Sequence, residues 1–276
     1  MLAGPVQGGG RREMPDPLHR ECRRRSDLMK GLLLRVAADT TAGGGGWNGP
    51  IEEDSGEFLY VPIPQDLDRF LPGNRPVVYD DMVPAVTAFS RRHAVTVDLP
   101  QHLLGRGCHL DPNFDELTYG DQGTGRGNRI SKLERGDFIA FFGGLKPTTP
   151  RRKLVYGLIG IMFVDRVVTL AEATEAERAR NAHGTRTSPD TDLIVFADPR
   201  RSGRLRTCIP IGEWRGGAYR VRRDLLDAWG GDRGIGVRDG WIQRSVVPPW
   251  FDDPERFLVW FKAQNPRLVA ANNPVL

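Results

Sequence analysis

Cysteine is scarce in this chain of 276 residues: Cys22, Cys108 and Cys208 stand far apart, and no CxxC pair exists. An odd, widely spaced set argues against a disulfide framework or a cysteine zinc site and fits a reduced, cytoplasmic setting. No run of 18 apolar residues is present to cross a membrane. The first residues lack the apolar stretch of a signal peptide. The glycine loop at 43–46 is not followed by GKS or GKT, and the GxGxxG order is missing, so neither a P-loop nor a dinucleotide fold is indicated. Internal repeats and an interior linker are also lacking. What remains is a cytoplasmic protein off the membrane, with 39% hydrophobic residues to build a core.

Charge is uneven along the chain. The net charge of +4 and pI near 9.1 invite an anionic partner. Residues 1–28 hold six arginines against four acids, rich in Gly and Pro and without periodicity, and read as a disordered leader. Met29 is an alternative start, and residues 29–276 read as one domain. From Arg200 to Arg223 eight arginines meet one glutamate, with Trp214 and Tyr219 among them. Such a segment suits phosphates and stacked bases, or else a charged, solvated strand edge.

Hydrophobic patterning predicts mostly strands. GDFIAFFGGL (136–145) and KLVYGLIGIMFVDRVV (153–168), joined by a polar KPTTPRR, read as a hairpin. Further strands are expected at 29–38, 55–64, 192–198 and 206–211, with helices at 80–92, 169–182 and 253–265. The fold expected is α+β, with a curved, barrel-like, mostly antiparallel sheet and peripheral helices.

One segment resists a structural reading. HLDPNFDELTYGD (109–121) holds a histidine, four carboxylates and a tyrosine in thirteen residues, broken by Pro112 and Gly120. His109 and Asp111, two apart, share a face if extended and can clasp a metal, with His183 completing an HxD…H set and Arg186 beyond it. Asp111 before Pro112 equally suits a turn cap. Asp39, ending a strand and followed by Thr40 and Thr41, is a base, a ligand or a loop cap.

Taken in order, these pieces resemble the third family of nucleotide-modification-associated domains, proteins inferred to take part in hypermodification of DNA bases. The Asp-led glycine loop, HLDP with TYGD, the GD-strand with its GLIG partner, NAHGTR, SGRLRTCIPI and GWIQRSVVPPWF carry the resemblance, from about Met29 to Gln264. The hairpin alone is similar to core strands of PUA-like domains. The family resemblance implies a role on nucleic acid without a reaction; DNA or a nucleotide is the expected substrate, with base-modifying enzymes as partners. From the polar sets themselves, with the ordered resemblance as support, Asp39, His109, Asp111 and His183 are the expected chemical groups. Thr40, Tyr119, Asp121, Arg186, Arg204, Gln243 and Arg244 are the expected substrate or nucleic-acid contacts. No metal is assigned and the cofactor is left unknown. Two alternatives stay open: a non-catalytic reader that flips a modified base into a PUA-like pocket, and an iron and 2-oxoglutarate oxygenase using His109, Asp111 and His183.

Overall fold

The computed structural model describes residues 29–125, 127–150, 152–231, 234–243 and 247–274. The leader expected over 1–28, and Arg244, lie outside the described residues. In chain order the strands are β1 (Gly31–Arg35), β2 (Pro50–Ile51), β3 (Ile63–Gln65), β4 (Gly107–His109), β5 (Thr118–Asp121) and β6 (Phe138–Pro147). They continue with β7 (Val155–Thr169), β8 (Leu193–Ala197), β9 (Gly203–Pro210), β10 (Gly212–Arg215), β11 (Ala218–Val221) and β12 (Leu268–Val269). The helices are α1 (Val83–His93), α2 (Gly127–Ile130), α3 (Glu175–Arg178), α4 (Arg223–Ala228) and α5 (Pro254–Ala263).

The expected hairpin is the spine of the molecule. β6 and β7 pair antiparallel from Phe138 opposite Phe163 to Leu145 opposite Val155. β1 lies parallel to β6, with Leu33 opposite Ala140, so its C-terminal end and the glycine loop emerge at one end of the sheet. The path runs β1-β6-β7-β8-β5. β7 is 15 residues long and serves two neighbours along one edge, β9 at its start and β8 at its end. A bulge interrupts its ladder with each, which is how one strand bends to feed two branches.

Runs such as LLL and FIAFF are apolar at every position because both faces of this sheet are covered. Alternate side chains enter two cores. Leu32, Leu34, Ile139 and Phe141 face one core with Tyr60, Phe114 and Tyr119. Leu33, Phe138, Ala140 and Phe142 face the other, closed by α4 and α5 through Leu225, Phe257 and Phe261. A third cluster packs α1 (Val86, Phe89) on Tyr79 and Leu103.

Three expectations need correction. The sheet is mixed and mostly antiparallel, but its ends, β1 and β5, do not meet; it is not closed into a barrel, and the PUA-like likeness lacks the barrel it implied. Residues 55–64 are extended but make only isolated bridges, Ile51 to Phe58 and Glu57 to Thr207, before β3. The helix expected at 169–182 shrinks to the one turn of α3, because Thr169 still belongs to β7 and its amide and hydroxyl bind Glu172. No helix among the described residues is long and apolar enough to cross a membrane.

Candidate active site

A cleft of about 790 Å³ opens where the chain leaves β1 and where β3, β4, β5 and the 181–186 loop approach one another. That is room for a ligand of nucleotide size, within the range of about 300–1,000 Å³ usual for small-molecule sites. Its lining includes Asp39, His109, Asp111, Tyr119, Asp121, His183 and Arg186, seven of the residues expected from sequence.

At its floor three side chains converge. Asp111 Oδ2 lies 3.6 Å from His109 Nε2 and 3.5 Å from His183 Nε2, although 72 positions separate Asp111 from His183. The two imidazole rings are 5.1 Å apart and inclined at 60°. Each ring is held from behind. Gln65 Oε1, on β3, accepts from His109 Nδ1 at 2.8 Å. Asp192 Oδ2, at the entry to β8, accepts from His183 Nδ1 at 2.6 Å. His109 reaches this place because β4 pairs with β3, Ile63 opposite His109.

Gly120 sets the other two members. Its amide donates to Asp111 Oδ1 at 2.6 Å. A Cβ there would lie 2.5 Å from Asn181 Oδ1 and 2.6 Å from His183 Cδ2, so only glycine lets the ring lie on β5. Asn181 adds to the fixing: its Oδ1 accepts from the His183 amide at 2.8 Å and its Nδ2 donates to Thr118 Oγ1 at 3.2 Å. The bond before Pro112 is cis.

Burial and contacts shift the site's acids and bases. Burial alone would raise Asp111, but the two histidines facing it overcome that and hold the carboxyl at about 2. Burial holds His109 below its ordinary value despite Asp111. Burial also works against a charged His183, yet its bonds to Asp111 and Asp192 carry it upward. Burial, followed by the neighbouring Arg69, lowers Arg186, whose Nη2 lies 3.3 Å from His183 Nδ1.

The remaining expected residues divide. Asp39 is on the cleft, but both its oxygens are engaged: Oδ1 accepts from the Thr41 amide and hydroxyl, and Oδ2 from Arg35 Nη2 at 2.9 Å. It caps the glycine loop, and a Cβ on Gly44 would sit 1.9 Å from its Oδ1. Thr40 is exposed outside the lining; Thr41 takes its place. Tyr119 is buried, its ring against Phe141 and its hydroxyl donating to Asp121 Oδ2, so it braces the wall. Gln243 is not on the cleft: its Oε1 accepts from the Tyr219 amide, while its carbonyl accepts from Arg35 Nη1. Arg204 is 3% exposed in β9, over the Phe58 ring and bonded to the Phe58 carbonyl, with burial pushing it down to about 10.

The arginine-rich segment also changes character in three dimensions. Asp239 and Glu213 pair with Arg215, Asp239 with Arg220 and Asp224 with Arg222, while Arg201 covers Phe163. Asp239, from 19 and 24 positions away, joins the local acids Glu213 and Asp224 in compensating part of the charge. Sequence reading missed Gln65, Arg69, Asn181 and Asp192. Asn181 was legible as part of NAHGTR, but the others carry no local signal and enter through tertiary pairing.

A family described as nucleotide modification associated domain 3 matches residues 30–227, a span that contains every residue lining the cleft. No curated protein and no solved structure gives a significant match to the chain.

Proposed function

Since the chain belongs to the nucleotide modification associated domain 3 family, we propose that it is an enzyme acting on a nucleotide unit held in the cleft. The observation that carries this reading is the meeting of His109, Asp111 and His183 at the floor of a space large enough for one nucleotide. Buried polar groups of this density are costly to assemble and are usually spent on satisfying one another. Here the ring nitrogens that face inward are directed at one carboxylate across 3.5–3.6 Å, with Arg186 Nη2 3.4 Å from His183 Nε2. Arg69 and Arg186 on the same lining suit a phosphate, since a guanidinium fork matches its oxygens. The Gln65 Nε2 is buried without a protein partner, a donor left over beside the histidines.

The test separates binding from turnover. Mononucleotides and a short single-stranded oligonucleotide are incubated with the protein, and products are followed by mass shift. Asp111→Asn is expected to retain binding and lose product formation, whereas Arg69→Ala with Arg186→Ala weakens binding with a shallower salt dependence. Full turnover by Asp111→Asn would sink the reading. Tight binding with no mass change under any condition would favour the non-catalytic reader instead.

A further inference from the structure

We infer that His109, Asp111 and His183 form a binding site for one divalent transition-metal ion, with zinc as the best-suited ion and one position left open to the cleft. The first support is where the lone pairs point. Both Nδ1 atoms meet acceptor oxygens, Gln65 Oε1 and Asp192 Oδ2, so each Nδ1 carries its proton outward. In a neutral imidazole the lone pair is then on Nε2. Both Nε2 atoms face the same Asp111 oxygen, and Arg186 Nη2 lies 3.4 Å from His183 Nε2; with both rings neutral, two lone pairs and a carboxylate oxygen converge on one place, which favours a cation there. A single cation satisfies all three at once.

The second support is distance. With metal–ligand bonds of about 2.1 Å, neighbouring ligands stand about 3.4 Å apart in a tetrahedron and about 3.0 Å in an octahedron. The observed 3.5 and 3.6 Å, with all three donor atoms within 4.8 Å of one another, are separations that one ion can bridge by drawing its ligands in slightly. Two histidines and a carboxylate with a fourth position open is also the donor set of hydrolytic zinc sites.

The third support is the surrounding shell. Metal-bound histidines regularly donate their other N–H to a carboxylate or carbonyl, which fixes the ring and its tautomer. Asp192 and Gln65 stand in those two places, buried at 2% and 5% exposure. Asp111 is fixed in its turn by the Gly120 amide on its second oxygen. The ion's chemical use, activation of a water against the bound nucleotide, rests on the reading above; its binding does not.

The experiment uses the full chain, stripped with a chelator and titrated with zinc against a chromophoric competitor. One tight equivalent is expected. His109→Gln, Asp111→Asn and His183→Gln should each lower the affinity at least a hundredfold, and Asp192→Asn ten- to a hundredfold. His93→Gln, remote from the cluster, should leave it unchanged. Cobalt in place of zinc should give the intense visible bands of four-coordination. Circular dichroism shows which variants remain folded, and zinc should raise the melting temperature of the parent protein but not of the folded variants.

No stoichiometric binding by the folded parent would overturn the site, as would an equivalent that survives removal of all three ligands. Weak octahedral cobalt bands would overturn the four-coordinate geometry. Nucleotide binding, measured on the stripped and loaded protein, keeps the two readings apart. Zinc bound without nucleotide binding removes the nucleotide assignment and leaves the metal site; nucleotide turnover by stripped protein leaves the nucleotide assignment and removes the ion's part in it.

Discussion

Adding one methyl group at Gly120 would place a carbon 2.6 Å from the His183 ring and 2.5 Å from Asn181. Both neighbours are buried and hydrogen-bonded, so neither can yield cheaply. Gly120→Ala should therefore cost about 1–3 kcal/mol, the usual range for overpacking, and displace His183 from Asp111. Denaturant unfolding reads the first effect and zinc affinity the second. A variant as stable as the parent and equal in zinc affinity would show that the ring has room to move. This residue also marks the limit of what a sequence conveys. In HLDPNFDELTYGD the glycine looks like a chain breaker, yet it sits within β5 as a place for another side chain. His109, Asp111 and His183 were legible because their side chains are unusual company for one another. Gln65 and Asp192 were not, since an ordinary glutamine and an ordinary aspartate become partners only once β3 meets β4 and the 181–186 loop folds onto β8.

Among the elements, those with strong periodicity or long apolar runs were legible: β1, the β6–β7 hairpin, β8, β9 and α5 fall where the pattern predicts them. The 169–182 helix and the 55–64 strand were not, because side chains such as Glu172 and Asn181 compete for the backbone and because the segment before β3 is held by tertiary contacts. One such contact ties α1 to that segment. Glu57 accepts from Arg92 Nη1 at 3.0 Å and pairs with His93 Nε2 at 2.9 Å. Burial opposes the charge, but these bonds hold the Glu57 carboxyl below its ordinary value. A carboxyl lowered in the folded state stabilises above its unfolded value, about 4.3, and that contribution fades as pH falls through the lower folded value. Melting curves of the parent and Glu57→Gln should therefore converge at acid pH and separate above about pH 4.3, the parent melting higher. Parallel curves across that range would mean that the latch contributes nothing.

The whole molecule divides its labour between a rigid spine and a margin. β6 and most of β7 are flanked by strands on both sides and buried, whereas β5 ends the sheet with β8 as its one ladder neighbour among the described residues. The open sheet, unforeseen in the sequence because apolar runs do not encode closure, is what leaves β5 at that margin. The site hangs from it: Gly120 positions Asp111 and His183, and both second partners lie on short elements or loop ends. Opening free energies in a folded protein range from near zero at such margins to the global value at the centre. The amides of β5 should then exchange with solvent well before those of β6, and modest denaturant should abolish the proposed turnover while tryptophan fluorescence still reports an intact core. Coincident loss of both signals would mean that margin and spine open as one unit. If they separate, a fluctuation too small to unfold the protein would suffice to disable the proposed site, and a bound nucleotide or ion, by closing that margin, would act as its own stabiliser.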